Sequence, residues 1–318
     1  MDKKIIKERI SALRATFDKE GIAAFIIPST DAHLSEYVAP HWKAREWISG
    51  FTGSAGTVVV TRDKAGLWTD SRYFLQAARQ LEGTGIELYK EMLPETPGIP
   101  AFLSATLKPG DTVGIDGQVF SVEEALQLEK QLRRNGISAK SISDPMDLIW
   151  TDRPAMPEEP AFVYDLKYAG RTCREKLDAV RLKMKETGAE ALLISSLDEI
   201  AWALNIRGND VHCNPVVVSY LIVGEHDAHF FIEPRKVTEE LAGHLKEAGV
   251  SIHNYKETGQ FLSRIKAQNI LLNPARTNYA VYSAICPDCR IIEGDSPVTL
   301  LKAIRNDREI AGIHAAMQ

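Results

Sequence analysis

Cysteine is scarce, with four among 318 residues. That supplies no disulfide framework, and a reducing, cytoplasmic setting fits it. No unbroken run of about 18 apolar residues occurs, so no membrane-spanning helix is expected. The opening MDKKIIKERISALRATF lacks the continuous apolar core and cleavage site of a secretory leader. Its Ile6, Ile10, Leu13 and Phe17 fall instead on one face of a helix. A basic excess is also missing: 38 Lys and Arg stand against 43 Asp and Glu, a net charge of -5. That leaves no electrostatic footprint for nucleic acid, and KQLRR at 130–134 reads as the solvated face of an amphipathic helix. Phosphate loops are absent too. SGFTGSAGT at 49–57 has no Gly-Lys-Ser/Thr ending, and a strand rather than a helix follows its glycines. No H-E-x-x-H pair is present.

What is present is a plan stated twice. Residues 9–38 and 176–204 each run from an amphipathic helix through a glycine, Gly21 or Gly188, into an apolar strand, a polar turn and a further helix candidate. Gly21 and Gly188 are separated by the same interval as Asp31 and Asp198. Hairpin patterns follow at 58–68 and 218–231, then helical segments at 71–81 and 235–245. Short strands at 113–115 and 269–272 each precede another helix, at 121–132 and 277–285. Domain duplication is the simplest source of such order. Between the copies, residues 143–160 hold Pro145, Pro154, Pro157 and Pro160, which exclude a long helix or central strand. The expected organisation is α/β: domain I over 1–158 and a related domain II over 159–303. Each is a mixed parallel and antiparallel sheet with helices on both faces, because the hairpins exclude a purely parallel one. The close, LLKAIRNDREIAGIHAAMQ at 300–318, places Ile304, Ile310, Ile313 and Met317 on one helical face without a closing cap. Residues 304–318 are therefore expected to lead into a further domain of a longer protein.

Several segments carry chemistry-bearing side chains. The glycines at 50, 53 and 56 suit a tight backbone path that packs the first hairpin, or a backbone-lined contact with a partner domain. Asp31, His33, Ser35 and Glu36 lie within one short stretch, but sequence-local groups seldom form a working triad. Asp31 is expected to cap a following helix, and His33 and Glu36 to face a ligand or neighbouring domain. Thr69 or Asp70 caps the next helix, which sets Arg72 in a first turn where the helix dipole disfavours a cation; a carboxylate partner would explain it. The densest polar stretch is NIRGNDVHCNP at 205–215. Arg207 has the forked donors that bind carboxylates. Asp210, His212 and Cys213 include metal-capable atoms, but their spacing matches no closed zinc pattern. Cys286 and Cys289 form a lone CxxC after a helix candidate, the wrong placement for redox work, and are expected to be free thiols.

These segments together resemble the Xaa-Pro aminopeptidase (aminopeptidase P) family in its long, three-domain form. The residues that carry the resemblance are IIPSTDAHLSEYVAPHWKAREWISGFTGSAGTVVVT at 26–61, LWTDSRYFLQAARQL at 67–81 and IWTDRPAMP at 149–157. LDEIAWALNIRGNDVHCNPVVVSY at 197–220 and AIRNDREIAGIHAA at 303–316 complete the set. Ser71 stands where the family often has Gly, and Asn209 where it often has Ser. The resemblance implies two tandem creatinase N-terminal-like domains ahead of a "pita-bread" metallopeptidase domain. That further domain would hold two divalent metal ions, usually manganese, and remove the first residue from peptides with proline second. This chain would then be a noncatalytic front part without metal ligands or catalytic residues, framing the cleft and limiting substrates.

Its cleft-facing candidates are Arg207, Asn209, Asp210, His212 and Asn214, followed by His33, Glu36 and Arg72, with the segments 31–37 and 45–57 as second choices. The implied partners are proline-containing peptides, the chain's own catalytic domain and, in the whole enzyme, a second copy, with neither nucleic acid nor membrane. The alternative reading is a binding or regulatory module from a creatinase-fold protein without peptidase activity.

Overall fold

The computed structural model describes residues 2–318. They fold as two compact units, one of residues 2–32 and 36–156, the other of residues 33–35 and 157–318. Among the described residues no helix is long and apolar enough to cross a membrane.

The first unit is a six-stranded sheet of β1 (Ala24–Ile27), β2 (Thr57–Thr61), β3 (Ala65–Thr69), β4 (Glu87–Lys90), β5 (Thr112–Asp116) and β6 (Ser138–Ile142). Their order is β4-β3-β2-β1-β5-β6. β1 pairs antiparallel with β2 on one side and parallel with β5 on the other. All four of its residues are buried, as a strand covered on both faces requires. One face receives the opening helix Lys3–Glu20 through Ile6, Leu13 and Phe17, which pack with Phe25, Ile27, Val58 and Val60. That helix ends where the sequence indicates, with Gly21 in the left-handed conformation at φ 59°. On the other face Phe102, from helix Ile99–Thr106, meets Trp68 edge to face.

The second unit repeats this arrangement. Its strands are β7 (Phe162–Val163), β8 (Ala191–Ile194), β9 (Ile206–Arg207), β10 (Ser219–Gly224), β11 (Ala228–Ile232), β12 (Val250–Asn254), β13 (Asn269–Leu272) and β14 (Arg290–Glu293). Six form a sheet in the order β12-β11-β10-β8-β13-β14, while β7 and β9 pair separately. β8 takes the place of β1, antiparallel to β10 and parallel to β13. Strand alternation separates two cores. Leu192, Ile194, Leu221 and Val223 face helix Cys173–Thr187 through Leu177, Val180 and Met184. Leu193, Tyr220, Ile222 and Phe231 face Leu262 and Ile285 on the opposite side. The mixed sheets with helices on both faces are therefore as the sequence indicates.

Two local expectations are corrected. Residues 31–39 form no helix, so Asp31 caps none. Leu34 sits at φ 54°, outside the helical region, and Pro40 disfavours helix at the residue before it. The closing segment is two helices, not one. Pro297–Ala303 stops, and Asp307–Ala316 restarts on a capping box between Asn306 and Glu309. Ile304, Ile310, Ile313 and Met317 are all exposed. The edge strands β4, β6, β12 and β14 escape sequence reading, because their half-exposed patterns carry little alternation.

At the end of β5 the Asp116 carboxylate is buried and accepts the Gln118 N–H at 2.9 Å. Nearby, Asp144 pairs with Arg153 at 2.8 Å. Burial first, then the Asp144 charge, pushes Asp116 up to about 7 from its ordinary 3.8. Between those values the folded chain keeps a proton that the unfolded chain releases, so this group's contribution to stability falls as pH rises. Asp116→Asn retains an acceptor for Gln118 and removes the buried charge. It should stabilise the chain by about 2 kcal/mol at pH 8 and by little at pH 4. Urea denaturation at the two pH values checks this; a variant less stable at pH 8 would show that the charge is accommodated.

Candidate functional site

The polar stretch after β9 is held by the second unit's own backbone. β9 pairs with β7, Phe162 opposite Arg207 and Val163 opposite Ile206. The Tyr164 N–H extends this ladder to the Asn205 carbonyl at 2.7 Å. Asn205 adopts φ 51° to turn the chain into the loop. A buried ammonium fixes that turn: Lys176 Nζ donates to the Trp202 carbonyl at 3.0 Å and to Asn205 Oδ1 at 2.7 Å. Burial pulls the Lys176 pKa down to about 8.

Arg207 is half-buried. Its Nη1 donates to the Ala201 and Ile206 carbonyls at 2.9 and 2.8 Å, and its guanidinium stacks 4.2 Å from the Tyr164 ring centroid. Burial lowers its pKa, against the opposing charges of Tyr164 and Glu309. Asp210 is fully enclosed. Its Oδ2 pairs with Lys236 Nζ and accepts the Val218 N–H at 2.6 Å. Burial lowers the Lys236 pKa and the Asp210 charge opposes the shift. Asp210 thus ties the loop to its base instead of presenting a carboxylate to solvent. Beyond it, the Asn214 N–H donates to the Val211 carbonyl at 3.1 Å, closing a turn with Cys213 at φ 59°. Asn209, His212 and Cys213 are exposed around that turn, and Asn214 is half-exposed. The loop brings Arg207, Asn209, Asp210, His212 and Asn214 together in sequence but not as one reactive cluster.

The remaining candidates separate. His33 groups with the second unit, where it is buried. Its Nδ1 lies 2.9 Å from the Ser195 carbonyl and its Nε2 lies 3.0 Å from the Tyr255 hydroxyl. Glu36 and Arg72 are exposed on the first unit. Arg72 does answer a carboxylate: Asp70 accepts from its Nε and Nη2 at 3.0 and 2.8 Å while also capping the short helix Ser71–Tyr73. That bond holds the Arg72 pKa above its ordinary value.

Arg45 organises the glycine stretch. Buried, it donates to the carbonyls of Phe51 and Gly53 and to Ser29 Oγ, the last at 2.8 Å. Ser29 Oγ donates in turn to the Gly56 carbonyl at 2.6 Å. The stretch is a packed turn of the first unit. Cys286 and Cys289 are free. Lys176 and Lys236 were also illegible, since nothing in KLDAV or EPRKV distinguishes a buried ammonium from a solvated one. Among the described residues, no three His, Cys, Asp or Glu side chains converge to hold a metal ion.

Two family models, each described as a Creatinase/Prolidase N-terminal domain, match this chain, one over residues 9–150 and the other over residues 152–309. Aminopeptidase P2 of Arabidopsis thaliana is 38% identical over 346 residues, covering 98% of this chain and 49% of the relative. The Xaa-Pro aminopeptidase ApepP of Drosophila melanogaster is 39% identical over 302 residues, covering 93% and 49%. The solved X-prolyl aminopeptidase of Caenorhabditis elegans, described as a cytosolic enzyme with a di-nuclear active site, superposes with a TM-score of 0.91. It is 34% identical, over 96% of this chain and 52% of its own. The chain spans about half the length of the curated relatives it matches.

If Asp210–Lys236 anchors the loop, Lys236→Met should leave a buried carboxylate uncompensated and cost about 3–5 kcal/mol. The pair Asp210→Asn and Lys236→Met keeps an acceptor for Val218 and should recover most of that loss. His212→Ala, at an exposed position, should stay within about 0.5 kcal/mol. Urea midpoints of the three variants decide it, and a single variant as stable as the double would deny the anchor.

Proposed function

The chain belongs to the creatinase/prolidase N-terminal domain family, and from that premise we propose that it is the noncatalytic front part of a metal-dependent Xaa-Pro aminopeptidase. The observation that carries this reading is the match of two tandem domains, end to end, to about half of the Caenorhabditis elegans enzyme. The substrates are peptides with proline at the second position. Their scissile amide is tertiary, lacks an N–H and is conformationally restricted, which favours a dedicated cleft. A further domain supplies the chemistry through two divalent metal ions, manganese in our reading. The side chains of this chain do not fit such a centre, because no group of three potential ligands converges among the described residues.

This part frames the cleft and limits what enters it. The loop of Arg207, Asn209, Asp210, His212 and Asn214 faces the peptide, with Asp210 acting through the loop's shape and Arg207, Asn209 and His212 offering donors. His33, Glu36 and Arg72 are secondary framing positions. We place the whole enzyme in the cytoplasm, in keeping with four free cysteines, and as a homodimer.

Cleavage of an Xaa-Pro peptide with manganese added, by this chain and by the longer protein side by side, tests the assignment. Activity is expected only in the longer protein. In that protein Arg207→Ala should raise KM more than it lowers kcat, since a framing residue acts on binding. Turnover by the short chain would overturn the noncatalytic assignment. No turnover by the longer protein would leave a binding or regulatory module in its place.

A further inference from the structure

The turn that leads into the edge strand β14 is made of Cys286, Pro287, Asp288 and Cys289. The Cys289 N–H donates to the Cys286 carbonyl at 3.0 Å, and Pro287 at the second position presets the backbone. Such a turn holds its first and fourth Cα atoms within about 7 Å, which overlaps the span of about 4.4–6.8 Å that a disulfide bridges. Both cysteines are free and half-exposed, while Pro287 and Asp288 stand in solvent. The turn itself has no need of thiols. Its counterpart in the first unit, between helix Val122–Arg133 and β6, carries no cysteine. It closes with the same bond, from the Gly136 N–H to the Arg133 carbonyl at 3.0 Å.

The two thiols are not equivalent. Cys289 packs beside the second core, and its Sγ donates to the Ala267 carbonyl at 3.0 Å. Burial first, then the neighbouring Cys286, raises its pKa, so the first attack on an oxidant falls to Cys286. A strand rather than a helix follows the pair, which leaves no helix N-terminus to favour a thiolate for repeated turnover. A single closure needs only proximity. It also has a structural consequence, because a sulfur in a disulfide carries no proton and the Ala267 carbonyl would lose that donor. Residues 264–268, which connect helix Thr258–Leu262 to β13, are otherwise tied by the Gln268 N–H to Glu190 at 2.8 Å. The remaining cysteines lie elsewhere. Cys173 is buried, which pushes its pKa up to about 12, and Cys213 is exposed on the 205–215 loop.

We propose that Cys286 and Cys289 are a redox-responsive thiol pair that closes to a disulfide by exchange with a small-molecule disulfide such as glutathione disulfide, and that closure frees residues 264–268. The Cys286 thiolate attacks one sulfur of the small disulfide. That S–S bond breaks, a mixed disulfide forms and one glutathione thiolate leaves. The Cys289 thiolate then attacks the Cys286 sulfur and displaces the second glutathione. The protein gives up two electrons and two protons, and the small disulfide takes them up as two thiols. The second step is intramolecular across a two-residue spacer, so its effective concentration is high. Excess reduced glutathione reverses both steps, and a reducing setting keeps the pair open. The pair stands apart from the peptidase reading, since it is complete within the second unit and is read by mass.

Treatment of the 318-residue chain with glutathione disulfide at about pH 8, followed by alkylation and peptide mass spectrometry, tests it. The peptide holding Cys286 and Cys289 should lose two hydrogens and escape alkylation until it is reduced. Cys213 should carry glutathione, and Cys173 should stay a thiol. In Cys289→Ser the exchange should stop at a glutathione adduct on Cys286. Amide hydrogen exchange at residues 264–268 should quicken about tenfold in the oxidised chain and return to its starting rate with dithiothreitol. Two free thiols at 286 and 289, a glutathione adduct that persists on Cys286 in the unsubstituted chain, or a disulfide from either to Cys213 would each overturn the pair. Unchanged exchange at 264–268 in the fully oxidised chain would overturn the release.

Discussion

Each unit depends on one short strand with unlike neighbours. β1 and β8 are four residues long, buried throughout, antiparallel to the strand on one side and parallel to that on the other. A strand in that position must be apolar on both faces, so helices must cover both faces of the sheet. The parallel side needs crossover connections, and even the antiparallel neighbour is reached through a long connection, residues 28–56 in the first unit and 195–218 in the second, so the hairpins form one strand further out, as β2–β3 and β10–β11. Chain polarity also reverses beside this strand. In the first unit Asp116, at the end of the parallel neighbour, is buried there near Asp144 and Arg153. In the second unit the matching sheet leaves its polar investment to the loop before β10 instead.

Duplication thus conserved the constraint and released everything that does not touch it. Strand order and pairing sense persist, and so does a three-ring contact, of Trp68, Tyr89 and Phe102 in the first unit and of Phe231, His253 and Phe261 in the second. The fill of that ring cluster does not: Gly66 lies under the Trp68–Tyr89 stack, and His229 lies beside His253 in the second unit. The same comparison explains residues 31–39. The second copy continues into helix Leu197–Ala203, while the first, with Leu34 at positive φ and Pro40 ahead, cannot.

The fold was legible because burial writes itself as period and run length. AFII and ALLI are continuous apolar runs, and the helices that cover them keep a helical spacing of Ile, Leu and Val. Left-handed caps at Gly21 and Gly188 punctuate both copies at the same place. Edge strands were illegible for the converse reason: half-exposed residues such as those of Ser138–Ile142 are under little pressure to alternate. The candidate loop could be located by its density of polar residues but not resolved into roles. Nothing in NIRGNDVHCNP says that Asp210 turns inward while His212 turns outward, since the partner that decides it, Lys236, lies on the far side of a hairpin.

Three buried cations share a task that apolar residues could not perform. Arg45 gathers the carbonyls of Phe51 and Gly53, Lys176 those of the Trp202–Asn205 turn, and Lys236 the Asp210 carboxylate at the foot of the loop. Each irregular segment turns acceptors inward where no helix or strand donates to them, and a buried carbonyl without a donor costs more than a net hydrogen bond returns. A long cationic side chain carries several donors to such a place from a neighbouring element, with its aliphatic stem in the core. Desolvation is the cost, visible in the lowered pKa of all three. The loops are therefore held by polar bonds from beneath, and their outer surfaces, Asn209 and His212 among them, are left without structural duty.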